Sequence, residues 1–130
     1  MSSNSRPGVE GRTLLVTGGA GFIGSHLVAR LLRDGASRGV MLDSADAVPA
    51  RGGVGDDARL QTIRHRLGRD SRTELIDALQ GVDWLVHLAA EKHRPSLDAP
   101  DELLATNVVG TRQLFECAAA ARVRSSRRGV

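Results

Sequence analysis

The 130 residues contain no tyrosine, one tryptophan, two phenylalanines and one cysteine, and Lys92 is the only lysine. A single cysteine, Cys117, excludes an internal disulfide. It stands in the alanine-rich run from Phe115 to Ala121, where a small thiol serves as buried packing. No apolar run approaches the roughly 20 residues that a bilayer span needs. The polar stretch Met1 to Gly11 lacks the apolar centre of a secretory signal. The expectation is therefore a cytoplasmic protein with no membrane partner. Charge of one sign is also missing: 18 basic side chains meet 15 acidic ones, for a net +3. The basic set is arginine apart from Lys92 and is scattered along the chain. The closing group Arg122, Arg124, Arg127 and Arg128 is too short to line a nucleic-acid groove, so no nucleic-acid partner is expected. No His, Cys, Asp or Glu group has metal-ligand spacing, which leaves the expected metal set empty.

What the chain does have begins with Thr17-Gly18-Gly19-Ala20-Gly21-Phe22-Ile23-Gly24. The run before it, Thr13-Leu14-Leu15-Val16, is short and apolar and reads as a buried strand. After it, Phe22, Ile23, Leu27, Leu31 and Leu32 recur near helical spacing, with Arg30, Arg33 and Asp34 facing away. Gly35 then closes the helix as a C′ glycine. Glycines in such a turn let backbone approach a ligand, and the helix start offers free N–H groups to a pyrophosphate. A second strand, Gly39-Val40-Met41-Leu42, ends in Asp43. An acidic residue about 20 positions past the glycines can accept hydrogen bonds from an adenosine ribose. The same carboxylate would repel a 2′-phosphate, so NAD is favoured over NADP. Gly18-x-x-Gly21-x-x-Gly24 followed by Asp43 thus reads as a dinucleotide site.

The rest of the chain alternates strand and helix, the pattern of a parallel sheet covered on both faces. A Gly-, Asp-, Ala- and Pro-rich loop runs from Ser44 to about Arg59, and a weaker strand is expected over Leu60 to Leu67. Ser71 is placed to cap a helix from Arg72 to Gln80 closed by Gly81. The fourth strand, Asp83 to Leu88, runs into Ala89-Ala90. A long helix starting near Asp101 then carries Leu103, Leu104, Val108, Leu114 and Phe115 toward the sheet. The expected fold is α/β: a Rossmann-type doubly wound parallel sheet of about four strands, order 3-2-1-4, truncated after the fourth. Residues 1–11 read as a disordered leader, 12–121 as the domain and 122–130 as a basic, disordered tail. Small residues at the ends of strands one and four would leave a crevice between them.

Four segments then appear in the order of a known family: TGGAGFIGSHL at Thr17 to Leu27, LD at Leu42-Asp43, VHLAA at Val86 to Ala90 and TNVVGT at Thr106 to Thr111. The chain resembles the extended short-chain dehydrogenases, in particular NAD-dependent nucleotide-sugar epimerases and dehydratases such as UDP-glucose 4-epimerase-like proteins. The resemblance implies that Gly18, Gly21, Phe22, Ile23 and Gly24 hold the NAD pyrophosphate and that Asp43 with Ser44 holds the adenosine ribose. It also implies that Leu88, Ala89 and Ala90 wall the nicotinamide side. Lys92 would reach cofactor oxygens, although a solvated loop lysine fits equally. Asn107 would organise backbone near the cofactor, or tie helix to sheet. His87 would pack within the strand-four motif, outside the chemistry.

Two departures qualify the resemblance. Family members carry an aspartate after strand three that pairs with the adenine amino group, whereas Arg66-Leu67-Gly68-Arg69-Asp70 stands here. The family's chemistry also needs a Tyr-x-x-x-Lys pair, with a tyrosine exchanging a proton while hydride moves to or from the nicotinamide. Without a tyrosine, no catalytic residue is assigned. The reading is the NAD-binding portion of a nucleotide-sugar epimerase/dehydratase, truncated and inactive alone. The alternative is a non-catalytic dinucleotide-binding module or sensor acting with a partner chain. An exposed edge on strand four would favour self-association or a complementing chain.

Overall fold

Leu14 and Val16 point to one side of the central strand and Leu15 to the other, and that alternation organises two apolar layers around one sheet. In this computed structural model, residues 8–18, 22–44, 57–89, 101, 105–123 and 125–128 are described. The strands are β1 (Thr13–Thr17), β2 (Arg38–Asp43), β3 (Leu60–Arg64), β4 (Trp84–His87) and β5 (Ser125–Arg128). All pair in parallel, in the order β3-β2-β1-β4-β5. Strands β1, β2 and β4 are largely buried, and their apolar runs match a sheet covered on both faces. The expected order 3-2-1-4 is present, with one further strand beyond β4.

Helix α1 (Phe22–Arg33) covers one face, where Val28, Ala29 and Leu32 pack on Leu14, Val16 and Met41. Ile23 does not join them: it is 67% exposed, at the solvent side of the first turn. Gly35 ends the helix at φ +103°, with Gly35 N–H donating to Leu32 O and Ala36 N–H to Leu31 O. That is the paired closure a left-handed C′ residue permits. The Arg59 guanidinium also donates to Leu32 O (2.8 Å) and Ala36 O (3.2 Å), satisfying carbonyls that the helix end leaves open.

Helix α2 (Arg72–Leu79) and helix α3 (Thr111–Ala120) cover the other face, where Leu75, Leu79, Leu114, Cys117 and Ala118 meet Leu15, Val40, Leu42 and Leu85. Ser71 occupies the cap position of α2, but its hydroxyl makes no cap bond. Cys117 is buried, and burial pushes its thiol pKa up. A π-helical turn, Ala105–Gly110, precedes α3. Its wider winding rotates upstream side chains off the face set by Leu114 and Cys117. Val108, expected against the sheet, is consequently 59% exposed, and Val109 is exposed beside it. Leu103 and Leu104 lie outside the described residues.

Two further differences concern chain ends and one concerns β3. Residues 9–11, expected in a disordered leader, form a turn in which Gly11 N–H donates to Gly35 O and Val9 packs beside α1. The expected open edge on strand four is corrected by β5. Trp84 pairs with Ser125 and His87 with Arg128, so residues 125–128 of the expected tail are strand. Ser-Ser-Arg-Arg carries no apolar pattern, and its strand is set by parallel backbone pairing with β4. Strand β3 stops at Arg64, short of Leu67, because the chain turns through Gly68 at φ +80°.

Candidate functional site

Parallel pairing aligns the carboxyl ends of all strands on one rim. Thr17 is level with Leu42 and His87, and Leu42 with Ile63. One residue further, Gly18, Asp43, Arg64 and Leu88 stand in a row. The chain leaves β1 toward β2 and β3, then crosses back to β4 on the opposite side. The crevice rule for open α/β sheets therefore places a ligand at the β1–β4 end of this rim.

Gly18 is the tightest point on it. Its φ is +73°, and a Cβ there would lie 3.0 Å from Ala89 N and 3.1 Å from Leu88 C. Only glycine combines that conformation with so close an approach of two backbones. Gly18 N–H donates to Leu42 O at 2.8 Å, joining the turn to β2 as well. At Gly18 the two strand ends touch, so the small residues there serve contact where the sequence reading expected a gap.

Thr17, fully buried beside Gly18, holds this contact in place. Its Oγ1 accepts Leu88 N–H (3.0 Å) and Ala89 N–H (3.2 Å) and lies 2.6 Å from His87 Nδ1. With both lone pairs taken, the Thr17 hydroxyl donates its own hydrogen to Nδ1. That assigns His87 as the neutral Nε2–H tautomer, donating to Thr111 Oγ1 at 2.9 Å. The His87 ring also meets Phe115 edge-on at 6.1 Å. Thr17, His87 and Thr111 thus tie β1, β4 and α3 together. Sequence reasoning placed His87 as packing and overlooked Thr17 and Thr111. The available signal was a hydroxyl ending an otherwise apolar buried strand, which must find partners.

On the β2 side, Asp43 ends its strand half-buried and Ser44 follows exposed. Asp43 O accepts His65 N–H at 2.8 Å, which holds the chain leaving β3 against the ribose candidate. The His65 side chain is almost wholly buried. Burial pushes its pKa down, with Asp70 and Glu74 opposing more weakly. Glu74 lies 3.9 Å from Nδ1 but is 69% exposed, so water screens it. Arg66, next along, is exposed and held by Asp70. Asp70 Oδ1 accepts from Arg66 Nε (3.1 Å) and NH2 (2.9 Å), and Oδ2 from Arg66 N–H (2.8 Å). Those bonds hold the Asp70 carboxyl below the usual range.

Of the remaining candidates, Gly24 is buried in the first turn of α1 and Asn107 is half-buried in the π-helical turn. Phe22 begins α1. Gly21, Ala90 and Lys92 lie outside the described residues. Among the described residues no group of three or more His, Cys, Asp or Glu could hold a metal ion, and no helix is long and apolar enough to cross a membrane.

A doubly wound parallel sheet whose central strand ends in a positive-φ glycine, with an acidic residue ending the next strand, defines a Rossmann-like α/β protein. The family model described as NAD dependent epimerase/dehydratase matches residues 14–127. The chain belongs to that family. A dTDP-glucose 4,6-dehydratase of Streptomyces griseus is 41% identical over 113 residues, covering 81% of this chain and 33% of the relative. The Neisseria meningitidis enzyme of the same name is 34% identical over 84% of this chain and 32% of its own. Among solved structures, the dTDP-glucose 4,6-dehydratase DesIV of Streptomyces venezuelae with NAD bound superposes with a TM-score of 0.77 at 38% identity. It is matched over 88% of this chain and 38% of that one. The chain spans about a third of the length of the curated relatives it matches.

Proposed function

We propose that this chain is the NAD-binding portion of a nucleotide-sugar epimerase/dehydratase and binds NAD in preference to NADP. The observation that carries the reading is the rim itself. Gly18 brings the ends of β1 and β4 into contact beside the start of α1, and Asp43 stands one strand away at the same level. Similarity to NAD-bound structures supports it. Gly18, Gly21, Phe22, Ile23 and Gly24 would hold the pyrophosphate through backbone N–H groups and close approach. Asp43 and Ser44 would accept and donate at the adenosine ribose. Leu88, Ala89 and Ala90 would wall the nicotinamide, with Lys92 and Asn107 nearby. Bound NAD supplies a hydride acceptor to the relatives' chemistry. These 130 residues hold no tyrosine to move the matching proton, so they complete no reaction by themselves.

Isothermal calorimetry of the purified chain tests the site. NAD binds weakly, NADP more weakly still because Asp43 repels a 2′-phosphate, and Gly21→Asp abolishes both. Equal heats from the parent and the Gly21→Asp protein would remove the glycine turn as the phosphate site. The absence of tyrosine also favours a second reading, a non-catalytic NAD module acting with a partner chain. Coding DNA beyond the Val130 codon separates the two: a Tyr-x-x-x-Lys pair favours the enzyme portion, unrelated sequence the module. In either case a nucleotide sugar is the substrate class that the remainder would recruit.

A further inference from the structure

Thr111 is the first residue of α3 and directly follows the π-helical turn. Its Oγ1 lies 2.9 Å from Nε2 of His87, the last residue of β4. Helix α3 therefore starts at the carboxyl rim and descends toward β5, which pairs parallel to β4. From His87 the line of bonds continues inward. Nδ1 accepts the Thr17 hydroxyl hydrogen at 2.6 Å, and Thr17 Oγ1 accepts Ala89 N–H at 3.2 Å. Leu88 N–H divides between Thr17 O (3.2 Å) and Thr17 Oγ1 (3.0 Å). A threonine hydroxyl has one hydrogen, and its direction decides where the lone pairs face. His87 sets that direction, because Nδ1 accepts only while the ring proton sits on Nε2. Thr111 Oγ1 receives that proton. The hydroxyl at the head of α3 thus governs, two groups away, the backbone of Leu88 and Ala89. Thr17 and His87 are almost wholly buried, and their bonds are the stronger for it.

We propose that Thr111, acting through His87 and Thr17, is the positioning residue for the nicotinamide end of the cofactor site. It touches no part of the cofactor and holds the Leu88–Ala89 wall where the ring is received. This rests on the dinucleotide reading above. The pyrophosphate and the adenosine ribose are taken by α1 and by the end of β2, outside this line of bonds. The two halves of the dinucleotide therefore depend differently on Thr111.

The test is calorimetry on the full chain with NAD and with ADP-ribose, which ends before the nicotinamide ring. Thr111→Val weakens NAD about fivefold, the worth of one neutral hydrogen bond, and leaves ADP-ribose within about twofold of the parent. Thr111→Ser, which keeps the hydroxyl, restores parental affinity for NAD. Equal losses on both ligands would reduce Thr111 to a support of the fold, and parental NAD affinity in Thr111→Val would remove it altogether. Either result overturns the assignment and leaves the NAD site standing. Failure of the parent to bind either ligand would overturn both this and the cofactor reading. A measurement on the parent alone needs no variant to fold: in nitrogen-15 spectra, NAD shifts the His87 ring signals and ADP-ribose leaves them in place. An equal response to the two ligands would also overturn the proposal.

Discussion

At the β1–β4 junction the polar groups of the rim are neutral and buried or half-buried, and each is used on a neighbouring element. At the β2–β3 end they are charged and largely exposed, and they pair within a single turn. Thr17 and His87, both almost wholly buried, join half-buried Thr111 across three elements at 2.6 to 3.0 Å. Arg66 and Asp70 are four residues apart and pair across one exposed turn. The first arrangement fixes where two strand ends sit. The second leaves the backbone to the sheet and presents chemistry to the outside. Buried polar groups are costly when a partner is lost, whereas exposed ion pairs change little when broken. The two halves of one rim should therefore respond very differently to substitution.

The largest effect is expected from Thr17→Val, which keeps the shape and removes the hydroxyl. His87 Nδ1 and Ala89 N–H lose their partner in a buried site, while Leu88 N–H keeps Thr17 O. The cost is about 3 kcal/mol in urea unfolding, from two unsatisfied buried groups. A loss under 1 kcal/mol would mean that the junction is not held by this network. Gly18→Ala should come next, at about 2 kcal/mol, because a residue with φ +73° is strained and its Cβ meets Ala89 backbone. NAD affinity should fall with it, as the two strand ends are pushed apart.

A smaller effect separates the sides by pH. Burial holds the His65 pKa below its ordinary 6.5. The unfolded chain therefore takes up a proton at a higher pH than the folded one does. The stability tied to neutral His65 is complete above the ordinary value and is lost as pH falls through it toward the lower folded value. Urea midpoints measured at successive pH values should drop on the acid side for the parent. They should drop less for His65→Leu, which cannot charge. Identical profiles for the two proteins would assign the acid loss to other groups.

Much of this architecture was legible in the sequence because its signals are local. Thr13 to Val16 is too short and apolar for anything but a buried strand, Gly35 marks a helix end, and Asp43 closes β2. What escaped was set by tertiary context. Val108 shares a 3.6-residue face with Phe115, and only the π-helical turn moves it to solvent. Ser125 to Arg128 has no strand pattern, and β4 supplies its pairing. At the candidate site, the turn at Gly18 and the strand end at Asp43 were readable from spacing. The partners of Thr17 lie 70 to 72 residues away in sequence, and no local rule places them.

The smallest effect should come from Asp70→Asn, and its smallness is what sharpens the contrast. The amide oxygen can still accept Arg66 N–H, so the turn stays closed, while the two exposed guanidinium hydrogen bonds and their charge attraction are lost. Arg66 is 59% exposed and Asp70 24%, so water and salt screen that attraction. The change should be about 0.5 kcal/mol in urea unfolding and should vanish in molar salt. The Thr17→Val loss should persist there, since a buried neutral network has no mobile ions to screen it. A large, salt-resistant loss in Asp70→Asn would show that the Arg66 turn supports the fold, and the division of the rim into a structural and a recognising side would have to be redrawn.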